Sequence, residues 1–259
     1  MSNVELTDRL GTDLTIANAA RVSLHKWSEF DVVGPFSSEI TATGARCKDP
    51  NSTSRLPWQS GGGWVYQRVK DADAQLINYC ARERHFSPFT HCIAQFRIKM
   101  PLFLARQWYK SRIGLEKDCG WNEVSRRYVK DEPEFFEVEK GFRKAAEKIK
   151  QGSTSELVTK GFEGKSLVNL VKAHNDSSRR LYLGMLEAGV AAEDARMVLP
   201  VAMMTEWIET GSIMAYARMV KLRADDHAQS YIRPYANDIS TSLSAAFPIS
   251  WRALMENDQ

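Results

Sequence analysis

Two stretches concentrate the side chains that handle anions: RQWYKSR at 106–112 and NEVSRRY at 122–128. On a helix, Arg106 and Lys110 lie four residues apart, share a face and present two cations to one ligand. Ser125 and Arg127 add a hydroxyl and a guanidinium fork, the donor geometry that suits phosphate. Spacing alone leaves a second reading open, a solvated basic face. LRADDHAQ at 222–229 places Arg223 at the end of a mostly apolar helical run, IMAYARMVKL. A buried arginine is costly unless paired, and Asp225 and Asp226 are the expected partners. Asp225, Asp226 and His227 are contiguous and cannot aim three side chains at one ion, so no metal site is expected. Arg196 precedes Pro200 on a short helix and reads either as an anion contact or as a surface arginine with its stem packed. His85, flanked by Phe86 and Phe89, reads as a packed histidine or as a flat ring that stacks on a planar ligand.

The charge distribution sharpens this. The chain has 259 residues, 43% hydrophobic, with a formal net charge of +3. That balance is too small for a nucleic-acid-binding domain. Between Arg82 and Lys130, however, eleven lysines and arginines face four acids (Glu83, Glu116, Asp118, Glu123), a local excess of +7. An anionic ligand is expected there. Cys47, Cys80, Cys92 and Cys119 form no CxxC pair and read as structural thiols. No segment reaches the roughly 18 uncharged apolar residues of a membrane span. MSNVELTDRL lacks a signal-peptide pattern, so a soluble cytoplasmic protein is expected.

The elements that must position these residues follow from periodicity. DLTIANAARVS (13–23) reads as a helix. From His25 to about Val69 no helical or strand period survives, which predicts an insertion, a lid or an interface arm across about 24–72. Ala74, Ile77, Cys80 and Ala81 recur at helical spacing. Cys92, Ala94, Phe96, Ile98 and Met100 alternate as a half-buried strand, and Pro101 opens a helix through PLFLARQWYKSR. FFEVEKGFRKAAEKIKQG predicts a helix closed by Gly152, followed by a polar stretch to about Asn175. SSRRLYLGMLEAG, AAEDARMVLP and a long helix marked by Ala228, Ile232, Tyr235, Ile239 and Leu243 complete a mainly helical α+β class in one domain, 1–259.

Six blocks in order, AARVS (19–23), HFSPFTH (85–91), PLFLARQWYKSR (101–112), NEVSRRY (122–128), ARMVLP (195–200) and LRADDHAQ (222–229), resemble the flavin-dependent thymidylate synthases, the ThyX family. The resemblance leaves out about 24–72 and 140–175. It implies a homotetramer with a mixed α/β core and long helices, and an active site assembled from several subunits. It also implies FAD, hydride from NADPH, and transfer of the methylene of 5,10-methylenetetrahydrofolate to C5 of dUMP, without a cysteine nucleophile. Carried over by position, the dUMP contacts are Gln107, Trp108, Tyr109, Lys110, Ser125, Arg127 and Arg196. Glu123 lies between nucleotide and flavin, and Arg223 sits on the pyrimidine carbonyl, where it stabilises charge at N3. Ser23, Ser87, Lys110, Ser111 and Arg112 line the flavin, and His85 places a folate or flavin ring.

The chain departs from the family pattern. Arg-His-Arg, seven residues, then Ser becomes Lys110-Ser111-Arg112, then twelve residues before Ser125. The family's Asn-x-Arg-x-x-x-Asn for the flavin's adenosine end becomes Ser212, Met214 and Arg218. These changes keep an alternative acceptor (UMP or dCMP) and a hydroxymethyl product in view, with Trp121 as a replacement ring for the missing histidine. A non-catalytic single-strand binder built on Trp108, Tyr109, Trp121 and Tyr128 leaves Arg196, Arg223 and Glu123 without a use.

Overall fold

The computed structural model describes residues 3–36, 52–57, 64–111, 120–147 and 152–257. In chain order these form β1 (Val4–Leu10), α1 (Asp13–Arg21), β2 (Asp31–Phe36), β3 (Ser52–Pro57), β4 (Trp64–Arg68) and α2 (Asp71–Arg82). Then come β5 (Ile93–Pro101), α3 (Leu102–Lys110), β6 (Trp121–Glu123), β7 (Arg143–Ala145), β8 (Ser153–Leu157), α4 (Leu167–Glu187) and α5 (Ala192–Ala195). β9 (Met204–Ser212), α6 (Ile213–Ala224), α7 (Arg233–Ala246) and α8 (Pro248–Glu256) follow. A four-stranded sheet has the order β1-β5-β9-β6, β2-β4-β3 form a second sheet, and β7-β8 a hairpin. The class is mixed helix and sheet. No helix among the described residues is long and apolar enough to cross a membrane.

The residues gather into two compact units, one of 1–5, 97–209 and 222–235, the other of 6–96, 210–221 and 236–259. In the second unit, α1 buries Ile16 and Ala17, and α2 buries Ala74, Ile77, Cys80 and Ala81, the face its spacing predicts. Asp73 joins that face fully buried, because Arg21 Nε and Ser28 Oγ donate to its two oxygens, each at 2.5 Å. Ser28 is itself bracketed by the Asn18 amide, which tethers the 26–30 segment to α1. Gly11 takes φ 87°, and a Cβ there would stand 2.7 Å from Cys92 Sγ, so only glycine lets α1 approach the start of β5.

Cys92, Ala94, Phe96, Ile98 and Met100 are all 0% exposed, so the strand at β5 is as predicted. Pro101 ends that strand and caps α3, one residue outside the helix. Between His25 and Val69, where no period survives, three strands stand among the described residues. β4 pairs antiparallel with both β2 and β3, and irregular register in each pair hides their period. Residues 37–51 and 58–63, which include the GGG run, lie outside the described residues.

The helix expected across 135–152 is absent from the described part. Phe136 is drawn into edge contacts with Phe103 and Tyr231, its N–H bonds Ala202 O at 2.8 Å, and Phe135 bridges to Met203. The apolar side chains that would form a helix stripe are thus used elsewhere. Gly141 takes φ 101° and β7 pairs with β8. α4 begins at Leu167, ahead of the expected start, and its buried positions Asn175 and Ser178 are polar while Tyr182 is aromatic, so hydropathy marks its inner face weakly. Gly189, at φ 87°, stops it as expected. α7 begins only at Arg233, because Pro234 is tolerated in a first turn and not further in; Ala228 lies in the preceding turn.

Candidate functional site

In the first unit, α3 turns Leu104, Ala105 and Trp108 inward, leaving Arg106, Tyr109 and Lys110 exposed on the other face. Arg106 and Lys110 share the exposed side as their spacing predicts. Trp108 is a correction: it is 0% exposed, and its Nε1 donates to Glu209 at 3.1 Å, so it is core rather than a ligand contact. Lys110 has no protein partner among the described residues, and Arg112 lies outside them.

Arg223, near the end of α6, meets the C-terminal turn of α3. Its Nε donates to Ser111 Oγ at 2.8 Å and its Nη2 to the Gln107 carbonyl at 3.0 Å. That carbonyl is one of the helix's unpaired terminal acceptors, at the negative end of its dipole. The expected partners are engaged elsewhere: Asp225 accepts the His227 N–H at 2.7 Å, and Asp226 pairs with Arg233 at 3.1 Å. Burial lowers the Arg223 pKa from the usual arginine value, yet its two protein acceptors are neutral. Among the described residues no carboxylate pairs with the guanidinium. Gln107 Oε1 is buried without a hydrogen-bond partner among the described residues.

β6 pairs antiparallel with β9, setting Trp121 opposite Glu209 and Glu123 opposite Trp207. Glu123 Oε1 accepts from Thr205 Oγ1 at 2.6 Å and Oε2 from Trp121 Nε1 at 3.3 Å. Trp121 stacks on Trp207 at 4.3 Å and 21°, with Tyr109 edge-on at 5.2 Å. Sequence reasoning missed Glu209. It is 1% exposed and accepts the indole N–H groups of both Trp108 and Trp207. A lone acid in an uncalled strand carries no pattern that would find it.

Ser125 begins the turn to Tyr128, and its Oγ accepts the Arg127 N–H at 3.3 Å. Arg127 reaches Glu193 Oε2 at 3.5 Å, and Arg196 Nε donates to the Glu193 carbonyl at 3.1 Å. One residue therefore holds both predicted arginines; only its spacing from Arg196, three residues back, could have pointed to Glu193. In this unit Gln107, Ser111 and Arg223 form one group, Tyr109, Trp121 and Glu123 a second, and Arg127 and Arg196 a third.

The second unit holds the remaining predicted residues. Ser23 is exposed on a 3-10 turn, Val22–Leu24, and Ser87 is exposed at the start of another, Ser87–His91. His85 is exposed and edge-on to Tyr79 at 5.9 Å, so the packed reading does not apply. Ser212 is 2% exposed and its Oγ accepts the Ala215 N–H at 3.2 Å, which caps α6. Met214 is half-buried; Arg218 is exposed without a protein partner among the described residues. A cavity of about 730 Å³ lies in this unit, lined by Leu14, Ala19, Val22, Trp27 and His91 among others. Cys80 and Cys92 are buried free thiols, and burial raises both; Cys92 is pushed up to about 12.

A family model described as thymidylate synthase complementing protein matches residues 5–249. The chain belongs to this family. Among relatives of this thymidylate synthase complementing family, the flavin-dependent thymidylate synthase of Thermus thermophilus is 37% identical over 185 residues, 71% of this chain. The match spans 64% of that relative's length, a little under two thirds. The flavin-dependent thymidylate synthase of Thermosipho africanus is 31% identical over 192 residues, covering 73% of this chain and 79% of its own. That of Thermotoga neapolitana is 28% identical over 253 residues, covering 98% and 90%. The crystal structure of the UMP/dUMP methylase PolB from Streptomyces cacaoi, bound with 5-Br dUMP, superposes with a TM-score of 0.67. It is 22% identical and covers 98% of this chain and 94% of that one, a likeness of fold.

Proposed function

We propose that this member of the family is a flavin-dependent thymidylate synthase that methylates dUMP at C5 to dTMP. The observation that carries the reading is Arg223, a partly buried guanidinium held by two neutral acceptors and so free to meet a developing anion. In the reaction, C5 of dUMP loses a proton and gains the methylene of 5,10-methylenetetrahydrofolate, and the folate leaves as tetrahydrofolate. A hydride originating from NADPH completes the methyl group. FAD, when bound, relays that hydride.

Arg223 binds the pyrimidine carbonyl and stabilises negative charge at N3, which raises electron density at C5. Lys110, Arg127 and Arg196 neutralise the nucleotide phosphate, with Ser125 and Gln107 donating to phosphate and sugar. Tyr109 stands at the nucleotide edge, and Glu123 keeps a carboxylate toward the flavin side.

The donor set fits FAD in part. Ser23 and Ser87 leave exposed hydroxyls, Arg218 an exposed cation, and the second unit's apolar cavity a place for a flat ring. His85 is exposed for stacking. Ser212 already caps α6 and Met214 carries no donor, so Arg218 is the group left for the adenosine end. The resemblance adds Lys110 and Arg112 to the flavin contacts, whereas Ser111 is engaged by Arg223. We take residues 1–259 as one catalytic domain in a homotetramer, with residues from neighbouring subunits completing each site.

Purified protein is expected to take up FAD and, with NADPH and methylenetetrahydrofolate, to release tritium from C5-labelled dUMP. Failure to bind FAD at micromolar concentration ends the reading. The Lys110-Ser111-Arg112 core and the lengthened connection to Ser125 make UMP and dCMP the acceptors to run alongside, with mass spectrometry separating a methyl from a hydroxymethyl product.

A further inference from the structure

The guanidinium of Arg223 carries five N–H donors, and the described residues take two of them, Nε–H and one on Nη2. Both lie along one edge of the planar group, so the two anchors set its plane as well as its position. The remaining three, two on Nη1 and one on Nη2, point away from that edge. Of the anchors, the Gln107 carbonyl is backbone and fixed by α3. The other is a side chain, and its identity is a choice this sequence makes. Ser111 stands at the C-cap of α3, 9% exposed. Its hydroxyl also donates to the Gln107 carbonyl, at 3.3 Å, which turns a lone pair toward Arg223 Nε. Ser111, Gln107 and Arg223 thus close a three-membered hydrogen-bond ring without a carboxylate.

We infer that Ser111 is the positioning residue for Arg223: its hydroxyl sets the plane of the guanidinium so that three N–H groups and the full charge face the bound pyrimidine. A carboxylate in its place would hold the arginine as firmly but neutralise it. An apolar residue would leave one anchor, about which the guanidinium rotates. The resemblance put a flavin-facing histidine at this position; here the serine acts through Arg223 instead. The inference rests on the reading of Arg223 as the substrate-facing cation.

The test is a double-mutant cycle on the FAD-loaded full chain, with kcat and KM for dUMP measured separately. Ser111→Ala lowers kcat about tenfold or more, as loss of preorganised donors does, with KM for dUMP changed less than about threefold. Ser111→Thr, which keeps the hydroxyl, stays within about twofold of the parent. On the Arg223→Ala background, Ser111→Ala has no further effect. Ser111→Cys behaves like Ser111→Ala and serves if the alanine variant does not fold. Parental kcat in Ser111→Ala, equal losses in the alanine and threonine variants, or losses that multiply with Arg223→Ala would overturn the inference. A second readout needs no turnover: in protein labelled with 15N-arginine, the Arg223 Nε–H is protected from exchange, keeps that protection in Ser111→Thr and loses it in Ser111→Ala. If the parent protein does not act on dUMP, the proposed function fails, and exchange alone then decides the anchor: unchanged protection in Ser111→Ala sinks it.

Discussion

Glu209 accepts the indole N–H of Trp207 at 2.9 Å while 1% exposed, and it accepts Trp108 on the same carboxylate. Trp207 is in turn the platform on which Trp121 stacks. Glu209→Leu leaves two buried indole donors unpaired, each costing about 1–3 kcal/mol. Glu209→Gln keeps one acceptor oxygen and costs less. Urea unfolding at fixed protein concentration measures both, and near-UV circular dichroism of the stacked pair is expected to weaken in Glu209→Leu.

Arg223→Ala is expected to lower kcat by about two orders of magnitude, as removal of one preorganised donor does elsewhere. Arg223→Lys recovers little, because an ammonium cannot bond Ser111 Oγ and the Gln107 carbonyl while presenting a planar edge. Steady-state kinetics decide it, with thermal melting confirming that both variants are folded.

Lys110→Ala acts chiefly on nucleotide binding, raising the Kd for dUMP about tenfold with a smaller effect on kcat. Lys110 is exposed, so salt screens its attraction. Calorimetric titration between low and high salt is expected to show the parent losing affinity more steeply than the variant.

Asp13 caps the start of α8: its two oxygens accept the Ile249 and Ser250 N–H groups at 3.2 and 2.8 Å. Burial raises its pKa, and those bonds only partly offset it. Its folded pKa therefore lies above the unfolded carboxylate value of about 3.9, so the folded state holds the proton more tightly. Its contribution to stability is complete below that value and is lost as pH rises through the folded pKa. Relative to Asp13→Asn, the parent is expected to lose stability over this acid range and to level off above it, as unfolding at a series of pH values shows.

Cys92, 0% exposed with its thiol pushed up to about 12, is expected to resist alkylation by iodoacetamide at neutral pH in the native protein and to react after unfolding. Peptide mass spectrometry reads the difference, and native labelling of Cys92 would contradict its burial.

Periodicity was enough to find α2 and β5, because Ile77, Cys80, Phe96 and Ile98 meet the core through one face of a regular element. The resemblance singled out the cations Lys110, Arg127, Arg196 and Arg223, which stand in ordered blocks whose residue types suit an anion. Tertiary structure alone decided what each one touches. Arg223 rests on Ser111, 112 residues away, and not on the adjacent Asp225 and Asp226. Trp108 turns from the ligand face to Glu209, 101 residues away, and the segment after Phe136 gives up its local helical preference once its aromatic side chain packs on Phe103 and Tyr231. The physical reason is the same each time. A local pattern records which face of an element is apolar, whereas a buried polar group takes whichever partner the fold brings within hydrogen-bond distance, and that partner lies beyond the reach of any period.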